Sequence, residues 1–273
     1  MPFHTKNFWE TIAVTGQWDY ENKPEVREFL ESSDLEKIIS GISRAAIVVL
    51  GGDGTMLAAI DSYRDKDMPF LGINFGTVWY LMHSRSVLAH AQQFETTHHP
   101  LLKVQIDTGE KKSDHYTFGD TYMTPVRWGG ICVYDVAVSQ PDRPTIVARD
   151  IISSGVIVST PAWSTGFSGN LGADILPLES DQFVMTHIAP PRARHLNPIQ
   201  LPGSSETSIT AKQLDRRPVL VYTDGRVIHT SGPDEQLHIT VTKATKSVQL
   251  LIADSHRDAW YTRSLRDDGY STL

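Results

Sequence analysis

An apolar run, Ala45-Ala46-Ile47-Val48-Val49-Leu50, passes directly into Gly51-Gly52-Asp53-Gly54-Thr55-Met56-Leu57. Three of the run's six residues are β-branched, the composition of a strand buried on both faces of a parallel sheet. Glycine at 51, 52 and 54 lets the backbone turn sharply and lie against a ligand, because no Cβ holds it off. Residues 55–63 then read as a helix with Met56, Leu57, Ala59 and Ile60 on its inner side. A glycine turn between strand and helix aims backbone N–H groups and the positive end of the helix dipole at one spot, which suits phosphate. Such a turn is often nothing more than a turn. The carboxylate inside it points to chemistry, because Asp53 would repel a phosphate unless it held a metal or took a proton from an attacking hydroxyl. A phosphate loop that carries its own base is what a phosphotransferase needs. The string is not a Walker A loop, since no Gly-Lys-Ser/Thr follows, nor a G-x-G-x-x-G dinucleotide fingerprint, since the third glycine is missing.

With 273 residues the chain has room for one large domain or two modest ones. A net charge of −7 argues against a nucleic-acid partner, which would call for a basic face. The longest apolar runs are too short to span a membrane, and Met1-Pro2-Phe3-His4-Thr5-Lys6 lacks the apolar core of a signal peptide. Cys132 is the only cysteine, so no disulfide frame or thiolate metal site is expected. Together these features suggest a soluble, cytoplasmic protein that takes a small-molecule ligand.

Up to residue 99 the sequence alternates strand and helix, the signature of a parallel α/β sheet. Thr11–Thr15 and Pro69–Asn74 read as strands, and Lys23–Ile42 and Val87–Phe94 as helical stretches. After His99-Pro100 the texture changes to short period-two segments joined by Gly, Pro, Asp and Ser, such as Cys132–Val138 and Leu237–Val241. The expectation is an α/β domain over 1–99, a β-rich domain over 100–251, and a helical tail over 252–273 packing back on the first. A site fed by both domains would sit in the cleft between them.

A second informative stretch is Ser159-Thr160-Pro161-Ala162-Trp163-Ser164-Thr165-Gly166-Phe167-Ser168-Gly169-Asn170. Its hydroxyls and N–H groups could hold a sugar or phosphate, or could simply cap a helix. Gly166-Phe167-Ser168-Gly169-Asn170 falls short of a nucleophile elbow because position 170 is not Gly. The eleven histidines form no H-E-x-x-H ligand set, and His98-His99 is expected to face solvent. Trp128 and Trp163 have the rings to stack on a base, although core or loop packing is the plainer role for each.

On these strings the chain resembles the NAD kinases over nearly its whole length. GGDGTML matches that family's phosphate loop, and Leu71-Gly72-Ile73-Asn74-Phe75-Gly76 its next strand and turn. His99-Pro100-Leu101-Leu102-Lys103 is similar to the start of its β domain, and Ser159-Thr160-Pro161 with Ser164-Thr165-Gly166-Phe167 to its S-T-P-x-G-S-T-A-Y string. Thr223-Asp224-Gly225 resembles its F-D-G turn, and Ala259-Trp260-Tyr261 with Leu265-Arg266 its closing segment. The resemblance implies an α/β domain with a parallel sheet plus a β-rich domain, assembled as a homodimer or homotetramer. It implies phosphoryl transfer from ATP or polyphosphate, with Mg²⁺, to the 2′-hydroxyl of the adenosine ribose of NAD, giving NADP. It assigns Asp53 as base and Gly51, Gly52, Gly54 and Thr55 as the phosphate cradle. Asn74, Phe75, Gly76, Gly119, Asp120, Ser154, Ala162, Thr165, Gly166, Phe167, Ser168, Asn170 and Asp224 would line the acceptor pocket, and no protein side chain is assigned to a metal.

The departures gather on the NAD-recognising wall and spare the phosphate loop. The family's Asn-Glu pair reads Gly119-Asp120, its Gly-Asp-Gly reads Ser153-Ser154-Gly155, its L-G-F reads Val78-Trp79-Tyr80, and the small Gly of its S-T-P string reads Trp163. They leave two alternatives open: a kinase of this fold with another nucleotide-like acceptor, and a non-catalytic nucleotide-binding paralogue. The intact GGDGT string argues against the second.

Overall fold

The computed structural model describes residues 5–8, 11–14, 23–42, 44–76, 80–88, 91, 93–190 and 196–253. The expected helical tail around Trp260-Tyr261 lies outside the described residues, as do Val78 and Trp79. The described residues divide into two compact units, one of residues up to 99 with the segment from 248 onward, the other of residues 100–247.

The first unit opens with β1 (Thr5–Phe8) and β2 (Thr11–Val14), an antiparallel hairpin. Two helices follow, α1 (Pro24–Glu31) and α2 (Ser33–Ser40). The single helical stretch expected over 23–42 is broken at Ser32, whose backbone is extended (φ −79°, ψ 152°) and whose Oγ accepts the Leu35 N–H at 3.4 Å. Serine competes well for such an N-cap, so one amphipathic pattern splits into two helices. Next come β3 (Ile47–Gly51), α3 (Asp53–Tyr63) and β4 (Phe70–Asn74). Strands β2, β3 and β4 pair in parallel. Every residue of β3 is buried, as the unbroken apolar run requires. Val26, Phe29, Leu35 and Ile38 of α1 and α2 cover Val48, Leu50, Leu71 and Ile73 of the sheet in one apolar cluster. The helix expected over 87–94 is only the turn α4 (Arg85–Leu88), and Phe94 already begins a strand.

In the second unit two antiparallel sheets face each other. One holds the unit's part of β5 (Phe94–Asp107), then β6 (Lys112–Thr117), and further along β8 (Cys132–Gln140), β9 (Arg143–Ser153), β13 (Glu206–Lys212) and the first part of β16 (His238–Ala253). The other holds β7 (Asp120–Pro125), β10 (Gly155–Ser159), β11 (Gln182–Ile188), β12 (Ile199–Pro202), β14 (Val219–Thr223) and β15 (Arg226–Thr230), in the order β12-β11-β10-β7-β14-β15. Val104, Tyr134, Ile151, Ile209 and Ile239 of the first sheet share a core with Met123, Val158, Phe183 and Val221 of the second, which makes a β-sandwich. Inside it, Tyr134 Oη lies 2.7 Å from Ser153 Oγ and 2.8 Å from His187 Nδ1, so these buried polar groups satisfy one another.

Two sequence expectations fail here. His99 does not face solvent: it is buried in β5 with Nε2 2.7 Å from Thr97 Oγ1, while His98, pointing to the other face of the strand, is exposed. Trp128 packs nowhere, standing 99% exposed in the loop between β7 and β8.

Candidate active site

In the first unit, Gly51 and Asn74 pair at the carboxyl ends of β3 and β4, where open parallel sheets bind ligands. The helix begins earlier than expected, at Asp53, with Gly52 in the extended N-cap position. Asp53 thus stands in the first turn, where the helix dipole favours a carboxylate. Its Oδ2 accepts the Tyr80 N–H at 2.6 Å and its Oδ1 the Leu81 N–H at 2.9 Å. The Gly51 carbonyl accepts the Phe75 N–H at 2.8 Å, and the Asn74 side chain closes a turn onto Gly76 through both its oxygen and its nitrogen. Asp53 therefore ties the phosphate loop to the chain returning from β4, a role its sequence context did not reveal.

The cradle residues are not equivalent. Gly54 is exposed at the head of α3, and the first N–H groups of a helix have no partner within it. Thr55 is fully buried, and its Oγ1 has no hydrogen-bond partner among the described residues. A Cβ on Gly51 would collide with that hydroxyl. Thr55 accordingly packs under the loop, its hydroxyl close against Gly51.

In the second unit the sequence holds a mirrored pattern, Asp120-Thr121-Tyr122 on β7 and Tyr222-Thr223-Asp224 at the end of β14 and the turn after it. The register aligns them, Tyr122 opposite Tyr222 and Thr121 opposite Thr223. Alternation sends Asp120, Tyr122 and Tyr222 to the sheet face away from Met123 and Val221, which enter the core. The tyrosine rings stack at 4.5 Å, and Phe167, at the start of the short helix α5 (Phe167–Asn170), meets Tyr122 edge-on at 5.9 Å. Tyr122 and Tyr222 escaped the sequence reading, although the mirrored triplets with an Asp-Gly turn beside one of them were the available signal. Asp224 and Gly225, with φ of 48° and 74°, form the two-residue turn between β14 and β15.

The Asp224 carboxylate is spent on the fold. Its oxygens lie 2.5 Å from Thr117 Oγ1 and accept the N–H groups of Phe118 (3.1 Å) and Gly119 (2.7 Å). Asp120 is only 4% exposed, and burial, reinforced by the charge of Asp224, pushes its carboxyl up to about 7. Near neutrality Asp120 is therefore an acid poised to gain or lose a proton. Burial also raises the Tyr122 phenol to about 12, so that group stays neutral.

The hydroxyl-rich stretch mostly serves its own turn. Ser159 and Ser168 are buried with their hydroxyls 2.6 Å apart, Thr160 donates to the Phe118 carbonyl at 2.6 Å, and Ser164 donates to the Pro161 carbonyl at 2.9 Å. Ala162 is buried as well, whereas Thr165, Gly166, Phe167 and Asn170 retain surface. Gly119, Asp120, Asp224 and the 160–170 turn thus come together, but Ser154 does not join them. Ser159 pairs with Asp120 at one end of β10, and Ser154 precedes the other end, five residues back. At ~3.3 Å per residue that is about 16 Å along the strand.

Among the described residues no three His, Cys, Asp or Glu side chains gather in a metal-binding group, and no helix is long and apolar enough to cross a membrane.

A glycine-headed helix with a carboxylate in its first turn, set at the carboxyl ends of parallel strands, defines a phosphate-handling α/β enzyme. The chain belongs to the ATP-NAD kinase family: the ATP-NAD kinase N-terminal domain matches residues 11–99 and the ATP-NAD kinase C-terminal domain residues 86–251. Among its relatives, the NAD kinase of Zymomonas mobilis is 30% identical over 220 residues, which is 77% of this chain and 80% of that one. The NAD kinase of Sulfurimonas denitrificans is 28% identical over 212 residues, 75% of this chain and 71% of that one. The fold is that of yeast NADH kinase complexed with NADH (TM-score 0.71, 15% identity, 99% of this chain and 94% of that one). It is also that of the Archaeoglobus fulgidus NAD kinase in complex with ATP (TM-score 0.67, 19% identity, 90% and 96%).

Proposed function

We propose that this kinase transfers the γ-phosphoryl group of ATP to the 2′-hydroxyl of the adenosine ribose of NAD, releasing ADP and NADP. One observation carries the reading: in a chain of this family, the GGDGT loop is intact and its carboxylate is fixed at the head of α3. Asp53 takes the proton of the acceptor hydroxyl as the oxygen–phosphorus bond forms. The Tyr80 and Leu81 N–H groups hold that carboxylate in one orientation, and positioning carries much of a phosphoryl transfer. The first turn of α3 offers backbone N–H groups to the donor's phosphates. Mg²⁺, bound with those phosphates, would neutralise part of their charge. The first unit thus handles phosphate, and the second holds the acceptor and associates with other copies.

With Cys132 as its single cysteine the chain can form no internal disulfide, which fits work in the reducing cytoplasm. Mass spectrometry and phosphorus NMR on the product of purified chain, ATP, Mg²⁺ and NAD test the reading. A 2′-phosphate on the adenosine ribose is expected; phosphorylation elsewhere, or of another nucleotide in preference, would favour the alternative acceptor.

A further inference from the structure

Trp163 ends the 3₁₀ turn Pro161–Trp163 that leaves β10. Its indole is half-buried and lies between two glycines rather than in the sandwich core. A Cβ built on Gly119 would come within 3.2 Å of the indole Cγ and Cδ2 and 2.8 Å of Asp224 Oδ1. One built on Gly166 would stand 3.0 Å from the indole Cδ1 and Nε1. Both spacings are tighter than ordinary van der Waals contact, so a side chain at 119 or 166 would press on the ring. Among the described residues the Nε1–H has no hydrogen-bond partner, although a Trp whose role is burial usually finds one. The neighbours are polar: Gly119 donates to Asp224, and the next residue is the buried Asp120.

We propose that Trp163 determines acceptor specificity: its indole, seated between Gly119 and Gly166, offers a stacking face to a planar nucleotide base and fills the room a longer side chain at 119 would occupy. This rests on the reading of that wall as acceptor-binding. The geometry reverses the simplest idea about the Asn-Glu departure. Restoring Asn at 119 would not recover a contact, because the side chain would meet the Asp224 carboxylate and the indole. Recognition that a polar side chain at 119 would supply by hydrogen bonding is supplied here by an aromatic plane.

Calorimetric titration of NAD, with steady-state kinetics in parallel, tests this on wild type, Trp163→Leu and Trp163→Phe. Leucine fills much of the volume without an aromatic face, and phenylalanine keeps the face. Trp163→Leu should weaken NAD affinity and raise KM for NAD by roughly tenfold, the scale of one base–aromatic stack. The kcat should change far less and KM for ATP not at all, while Trp163→Phe stays close to wild type. Wild-type affinity for NAD in Trp163→Leu would overturn the proposal, as would equal losses in both variants, which would mark a merely structural residue. Should the wild type bind NAD but form no NADP, the kinase reading would fail while the affinities still decided the role of Trp163.

Discussion

In the proposed mechanism Asp53 has two duties. As the base it would be worth ~10²–10⁴-fold in rate. As the acceptor for the Tyr80 and Leu81 N–H groups it also fixes the loop after β4. Asp53→Asn should abolish measurable turnover and also lower the Tm, since an amide nitrogen turned toward a backbone N–H forfeits ~1 kcal/mol or more. Full activity in that variant would remove Asp53 from the chemistry. Asp120 makes a second residue-scale prediction. Its carboxyl titrates at about 7, above its ordinary 3.8, so the folded chain holds a proton that the unfolded chain releases. The stability this confers is complete below 3.8 and is lost as pH rises toward 7. Asp120→Asn, which cannot ionise, should therefore gain Tm relative to wild type across that window, by several degrees at neutral pH. A constant difference from pH 4 to 7 would contradict the assignment. His187 works in the opposite sense: burial holds its imidazole down to about 4, so its contribution is lost as pH falls from 6.5 toward that value.

Among the elements, the strand–loop–helix junction was legible because local chemistry decides it: an apolar β-branched run, glycines, then small and apolar helix formers. The split of the 23–42 helix was legible in principle from Ser32, but an N-cap competes with periodicity, and periodicity looked continuous. The 87–94 stretch misled because Phe94 and Thr97 serve a long strand whose partner, β16, lies some 150 residues away in sequence. The surface around Asp120 was only half legible, since the resemblance singled out Asp120 and Asp224 but Tyr122 and Tyr222 depend on a register no local signal sets. The hydroxyl of Thr160 was ambiguous for the same reason, its partner being the Phe118 carbonyl 42 residues away, while Ser159 and Ser164 find theirs nearby in Ser168 and Pro161. Gly155 tests the β10 register directly. It has φ of 141°, and a Cβ there would collide with the Met123 carbonyl of β7. Gly155→Ala should cost ~1–3 kcal/mol in backbone strain alone, more with the collision, and so lower the Tm by several degrees or leave the chain insoluble. A variant as stable as wild type would mean that β7 and β10 pair otherwise.

For the whole molecule, two sheets of one sandwich and a separate α/β unit place different duties on different parts of the chain. If the second unit associates with other copies as proposed, light scattering at micromolar concentration should return a multiple of the 30.4 kDa chain mass. A fully active species at the chain mass would contradict it. The central claim, that this chain makes NADP from NAD with Asp53 as base, is tested most directly by one assay. Purified wild type and Asp53→Asn would each be incubated with ATP, Mg²⁺ and NAD, and NADP quantified over time. The account predicts steady NADP formation by wild type and at least ~10²-fold less by the variant; no NADP from wild type, or equal rates from both, would contradict it.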